Sequence, residues 1–300
     1  MKFLAVTLLA LVAFASARHM HISLEDVIDL EKNFAYGYLN RVSIPLADKI
    51  RKAEEEGNRA PSRIIGGSLA SLGQFPYQAG LLLQLPTGTG FASAVLVSPN
   101  RVLSAAHNFH DHVSSVTAVT VVLGSTTVFV GGIRFDLTPS DLFLHENYIP
   151  SPPINDIAML YLPQNVASSS IIAPIALPSG SQLDEDFAGD IGIASGFGKT
   201  ADIGGVVPNQ PLSYVDLPVI SNEVCAQTFG GFVLPSNVCT SGEGGKNICS
   251  GDSGGPLAIT RDDKPLLIGI TSFGTSQCEG GHPSAYARVT FYMDWVNGHL

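Results

Sequence analysis

The chain has 300 residues, 45% of them hydrophobic and 14% charged, which excludes intrinsic disorder for the chain as a whole. Its 31 Gly and 19 Pro follow no triplet period, so it is not collagen, and they suit many short strands joined by turns. A formal charge of −10 argues against nucleic acid as a partner, because phosphate binding needs a basic face.

Residues 1–17 read as a signal peptide. Met1-Lys2 gives a positive start, Phe3 to Phe14 is apolar except for Thr7, and Ala15-Ser16-Ala17 has the small-x-small form of a cleavage site. The run is too short to span a bilayer, which takes about 20 residues. No later stretch is long enough, so no membrane association is expected and the chain should be secreted to the extracellular space.

Residues 18–63 differ from the remainder of the chain. They balance 8 Lys+Arg against 8 Asp+Glu, whereas residues 64–300 carry 7 against 18. Ser23-Leu24-Glu25-Asp26 resembles a helix start, and Leu46 to Glu56 has the apolar spacing of a helix ending at Gly57. Asn58 to Arg63 is polar, contains Pro61 and should be exposed. From Ile64 the pattern becomes β: Val116 to Phe135 is rich in Val and Thr with Gly punctuation, and Leu266 to Thr271 is a further predicted strand. Cys225, Cys239, Cys249 and Cys278 all lie in the last third. Their spacings of 14, 10 and 29 contain no paired zinc knuckle, so two disulfides are expected, with three pairings open.

Three motifs carry chemistry. In Gly251-Asp252-Ser253-Gly254-Gly255-Pro256, glycines around a serine permit a tight turn that exposes the hydroxyl and aims backbone N–H groups at one point. A serine alcohol is a poor nucleophile and needs a base. His107 in Leu103-Ser104-Ala105-Ala106-His107 offers one, among residues small enough to let other groups pack closely. Asp156, in Asn155-Asp156-Ile157-Ala158, supplies a carboxylate inside an apolar run, where an unpaired charge would be costly. The serine motif also fits the G-x-S-x-G elbow of α/β-hydrolases, but Pro256 to Thr260 is a poor helix start and only 47 residues follow Ser253. The order His107, Asp156, Ser253, with separations of 49 and 97, argues for one constellation. His107, His110 and His112 have spacing a metal might use; a solvated loop is the plainer reading, and no metal or cofactor is expected. Asp184-Glu185-Asp186 reads as an exposed acidic turn. No Asn-x-Ser/Thr sequon occurs.

From Ile64 to the C-terminus the chain resembles the trypsin/chymotrypsin-type serine proteases. Arg63-Ile64-Ile65-Gly66-Gly67 is similar to the family's activation site, Ser272-Phe273-Gly274 to its substrate-binding strand, and Tyr286-Ala287-Arg288-Val289 to the approach to its C-terminal helix. The resemblance implies an all-β fold of two six-stranded antiparallel Greek-key barrels, roughly residues 64–175 and 176–300, with the site between them and a short C-terminal helix. It implies the pairings Cys225–Cys239 and Cys249–Cys278. It also implies a catalytic His107, Asp156 and Ser253, and an oxyanion hole at the N–H groups of Gly251 and Ser253. The family usually has a cysteine directly after the histidine, bonded to another 16 residues earlier. Here Asn108 and Ala92 stand in those places, and the loss of that bond is expected to cost the His107 loop a few kcal/mol.

The same resemblance implies a zymogen with residues 18–63 as activation propeptide. A trypsin-like activating protease would cut after Arg63, and the freed Ile64 amine would pair with Asp252. The pairing should raise that amine above its usual value of about 8, favouring the active form at lower pH and losing it as pH rises. With no cysteine in residues 18–63, the cleaved propeptide is expected to dissociate. Asn247 falls where trypsins place a pocket-floor aspartate, Ser272, Phe273 and Gly274 form the pocket's edge and mouth, and Ser284 stands on the opposite wall. Cleavage after uncharged, mostly apolar residues of protein or peptide substrates is the consequence, with protein protease inhibitors as further partners. Few Lys or Arg past residue 63 suit a digestive role in a gut lumen. The alternative is an inactive homologue that acts as a binding protein; that class typically has a broken triad, and this one is intact.

Overall fold

The structure, a computed structural model, describes residues 37–55, 65–199, 201–202 and 211–300. The signal peptide, the helix start at Ser23, and the cleavage point at Arg63 and Ile64 lie outside these residues. All the described residues fall in one compact unit.

Two antiparallel sheets form the body. In the C-terminal barrel the strand order is Ser213–Ile220, Ile191–Gly196, Pro256–Arg261, Lys264–Phe273, Ser284–Arg288 and Asn237–Thr240. The last pairs back onto the first through Val219 opposite Thr240, so six strands close on themselves and leave no edge. Ser68–Leu69 adds a short strand outside Ser213–Ile220. The Pro256 stretch is a strand, not a helix, as its sequence suggested. The predicted strand at Leu266 runs from Lys264 to Phe273 and is almost wholly buried.

The N-terminal sheet has seven strands, in the order Ile133–Leu137, Ala118–Leu123, Gln78–Leu85, Gly88–Ser98, Arg101–Ser104, Ala158–Tyr161 and Leu142–Leu144; its two end strands do not pair, so it is a half-barrel where a closed six-stranded barrel was expected. The β-rich stretch at Val116 to Phe135 is thus two strands. They are separated by a loop in which Gly124, Gly131 and Gly132 take positive φ, the conformation glycine adopts most readily. The C-terminal helix Met293–His299 tucks Val296 into the core, and the His299 carbonyl accepts from Arg101 Nε at 2.7 Å. Disulfides join Cys225 to Cys239 and Cys249 to Cys278, both in the C-terminal half.

The segment before the barrels was only half legible in the sequence. The helical spacing at Leu46 to Glu56 is a helix at Ile44–Glu55, preceded by a wider helical turn at Leu39–Ser43. The wide turn has a local cause: in a regular α-helix the Pro45 ring would collide with the carbonyl four residues back and would remove a hydrogen bond. The segment does not stand apart from the barrels. Tyr38, Leu39, Leu46, Ala47 and Ile50 are buried within their cores, and Arg41, Asp48, Lys49, Arg51 and Lys52 face solvent.

Candidate active site

His107 and Asp156 meet because their strands are neighbours. Arg101–Ser104 pairs antiparallel with Ala158–Tyr161, Ser104 opposite Ala158, so the residues just past one strand face those just before the other. Asn155 turns the chain with φ of 53°, a left-handed conformation that asparagine tolerates better than most residues. Ala105 and Ala106, both fully buried, leave room for the short turn that carries His107. Asp156 Oδ2 lies 2.7 Å from His107 Nδ1 and accepts from Ser272 Oγ at 2.5 Å, while Oδ1 accepts from the His107 N–H at 2.9 Å. Burial by itself would raise the Asp156 carboxyl; the His107 charge and these hydrogen bonds outweigh it and hold its pKa below the ordinary value.

Ser253 reaches the same place from the other barrel. Its carbonyl accepts from Ser93 N at 2.9 Å and from Asn108 Nδ2 at 3.1 Å, so the residue after His107 is bonded to the serine itself. Asn108 Nδ2 also donates to Ser104 Oγ at 3.0 Å, and Ser104 Oγ donates to the Ser93 carbonyl at 2.9 Å. This polar seam starts at Asn108, one of the two positions where the family usually has a cysteine, and fastens the His107 loop to the Ser253 loop. At Gly254 (φ 81°) any Cβ would collide with Ser104 Oγ and the Ser93 carbonyl, so only glycine permits the approach. Gly251 (φ 103°) packs against the Phe91 ring. Ser253 Oγ is buried and has no hydrogen-bond partner of good geometry among the described residues.

Asp252 points the opposite way. Its carboxylate accepts from Gly198 N at 2.8 Å and Cys249 N at 2.9 Å, and a Cβ at Gly198 would collide with it. Burial pushes Asp252 up to about 7 against the pull of those two N–H groups. The folded chain then holds a proton that the unfolded chain, with its carboxyl near 3.8, has released. Stability from this group is therefore complete below the unfolded value and is lost as pH rises through about 7. The melting temperature of the uncleaved chain should fall across that window, and Asp252→Asn should flatten the fall. Equal pH profiles for the two proteins would show that Asp252 enters the fold already ionised.

Of the residues assigned to the pocket, Asn247 and Ser284 are in direct contact. Asn247 is 2% exposed; its Oδ1 accepts from Ser284 Oγ at 2.7 Å and from Ile248 N at 3.0 Å, and its Nδ2 donates to the His282 carbonyl at 2.8 Å. Phe273 and Gly274 are buried beside Ser272. Ile65, next to the predicted cleavage point, packs on the Cys249–Cys278 bridge, and its carbonyl accepts from Asn247 N at 3.2 Å. His110 bonds Ser115 and His112 is exposed, on the loop assigned to them. Asp184 and Asp186 are exposed, while Glu185 pairs with Arg261 at 3.1 Å. Among the described residues the tight group of metal-ligating atoms is Asp202 with Cys249 and Cys278, whose sulfurs are joined to each other. Sequence reasoning missed Asn108 as a bridging donor. It also missed Ser93, a small polar residue in an apolar stretch that carries no motif.

Residues 64–296 match the family model described as Trypsin. A collagenase of Hypoderma lineatum is 37% identical over 237 residues, 78% of this chain and 86% of that protein. Brachyurin of Leptuca pugilator is 34% identical over 235 residues, 78% of this chain and 96% of that protein. Trypsin-1 of Astacus astacus is 32% identical over 241 residues, 79% and 99% respectively. The fold matches a solved structure of HL collagenase with a TM-score of 0.71 at 35% identity, covering 79% of this chain and 98% of that one.

Proposed function

Since the chain belongs to the trypsin family and is a serine endopeptidase, we propose that it is secreted as a zymogen and cuts proteins after uncharged, mostly apolar residues through His107, Asp156 and Ser253. The observation that carries the catalytic assignment is the buried His107–Asp156 pair at 2.7 Å, with Ser253 bonded through its carbonyl to Asn108.

In this reading Ser253 Oγ adds to the scissile carbonyl carbon while His107 Nε2 takes the hydroxyl proton. The new oxyanion sits against the N–H groups of Gly251 and Ser253. When the C–N bond breaks, His107 returns that proton to the departing amine and an acyl ester remains on Ser253. Water then repeats the addition, with His107 as base, and the acid product leaves. Asp156 keeps the Nδ1 proton in place and stabilises the imidazolium; Ser272 holds Asp156 for that task.

Cleavage after Arg63 by a trypsin-like protease would free the Ile64 amine to pair with Asp252. Ile65 already lies against the Cys249–Cys278 bridge, one residue away. A cation there would draw the Asp252 carboxyl down, so the loss of stability as pH rises through about 7 should vanish on activation. The relatives' names do not agree on one substrate, and the neutral floor at Asn247 is what favours apolar side chains. A digestive setting fits the scarcity of Lys and Arg past residue 63, 7 in all.

A fluorophosphonate probe tests the reading, because labelling requires an activated serine. The trypsin-treated chain should label at Ser253 once residues 18–63 are gone. No labelling of that form would overturn the proposal in favour of an inactive homologue.

A further inference from the structure

We propose that residues 37–55 form an inhibitor that stays in the active-site cleft after Arg63 is cut, and that the Arg- or Lys-directed protease that cuts there must also destroy it. The inference rests on the zymogen reading and replaces the expectation that a propeptide without a disulfide simply leaves.

Tyr38 is the plug. It is fully buried, its ring stands edge-on to the His107 imidazole with centroids 5.1 Å apart, and its hydroxyl donates to the Phe91 carbonyl at 3.4 Å. Burial raises its phenol, and Ser253 and the Gly251 N–H temper the rise; behind it Leu46 packs against Gly251. A phenol has no carbonyl for Ser253 to attack, so Tyr38 blocks the site without being a substrate.

The contacts behind Tyr38 fix it there. The Leu39 N–H donates to Asp111 Oδ2 at 2.8 Å. Ser43 Oγ accepts from Phe91 N at 2.7 Å and donates to the Phe91 carbonyl at 2.6 Å. A backbone donor and acceptor beside Gly251, of the kind an extended peptide would pair with, are thus both taken. Gly90 permits this approach, since a Cβ there would collide with Ser43 Oγ. Leu46, Ala47 and Ile50 join the apolar cluster of Phe91, Val128 and Phe197. At the far end the Glu54 carboxylate accepts from the N–H groups of Val128, Phe129 and Val130 at 3.2, 3.0 and 2.8 Å. None of these contacts depends on an intact bond at Arg63.

The opposite face of the segment carries Arg41, Lys49, Arg51 and Lys52, all exposed. Tryptic sites are scarce past residue 63 and dense here. One protease specificity can therefore release the N-terminus of the enzyme and fragment its inhibitor while sparing most of the barrels.

The test uses the full chain and a variant carrying Arg41→Gln, Lys49→Gln, Arg51→Gln and Lys52→Gln, each treated with immobilised trypsin until Ile64 is the new N-terminus. The wild type should become fully active as residues 37–55 disappear. In the variant the segment should co-elute with the enzyme in gel filtration. At ~10 µM the variant should show less than about a tenth of wild-type activity on a small apolar peptide substrate, recovering more than ~10-fold on ~1000-fold dilution, as mass action requires. Adding Tyr38→Ala and Ile50→Ala should abolish the block. A cleaved variant as active as wild type at both concentrations overturns the proposal, as does inhibition insensitive to Tyr38→Ala and Ile50→Ala. If the wild type is inactive and unlabelled by fluorophosphonate with the segment gone, the protease reading has failed and the inhibitor proposal falls with it.

Discussion

Ser253→Ala should lower kcat by at least ~10³-fold while leaving KM within a few-fold, as removal of a triad nucleophile does. In the proposed mechanism the alanine loses the atom that bonds to substrate carbon. The Ser253 backbone stays where Asn108 and Ser93 hold its carbonyl, so the oxyanion donors and the pocket keep their places. The fall should therefore lie in kcat and not in binding, and the folded stability should stay near wild type. Steady-state kinetics of the activated variant, freed of residues 18–63, settle it. Retention of more than a tenth of wild-type kcat would mean that another group carries the acyl transfer.

The second large effect is selectivity. Reporter peptides ending in Phe, Tyr, Leu or Met before the scissile bond should be cut ~10²–10⁴-fold better, in kcat/KM, than those ending in Arg or Lys. In the proposed pocket the floor is the Asn247 amide, not a carboxylate, and its capacity is largely spent. Asn247 Oδ1 already accepts two hydrogen bonds and Nδ2 donates one to a backbone carbonyl. A substrate cation buried there would meet no counter-ion, and Ser284, clasped to Asn247, shortens the space. The same argument makes self-cleavage at Arg63 slow, so purified proenzyme should stay intact alone and be cut rapidly when trypsin is added. Faster hydrolysis of the Arg peptide than of the Phe and Leu peptides would show that a carboxylate reaches the pocket by another route.

The sequence and the structure agree where a local rule determines the outcome. His107, Asp156 and Ser253 sit in short motifs whose small or glycine neighbours exist to permit close approach, and the order of the three was legible without coordinates. Strands were legible where Val, Leu and Ile run continuously, as at Lys264–Phe273. The stretch from Val116 to Phe135 was less so, because its alternation continues across a glycine loop and only pairing partners reveal the break. The helix at Ile44–Glu55 shows the limit most clearly. An amphipathic face says that a helix will be covered and says nothing of what covers it. The complement to that face is scattered over Phe91, Val128 and Phe197, which no periodicity links. Asn108 was noticed as a departure from a family pattern, yet its value lies in two acceptors, one of them 145 residues away in the other barrel.

The seam of Ser93, Ser104, Asn108 and Ser253 has a consequence for how the molecule answers thiols. Hydrogen bonds are indifferent to glutathione, whereas cystines are not. Both cystines of this chain lie in the C-terminal half, and Cys249–Cys278 borders the residues that shape the pocket floor and the Asp252 turn. Under the proposed reading a reducing milieu therefore acts on what the pocket accepts and on how the new N-terminus is received. The His107–Asp156 pair, and the fastening of their barrel to the serine, lie outside its reach.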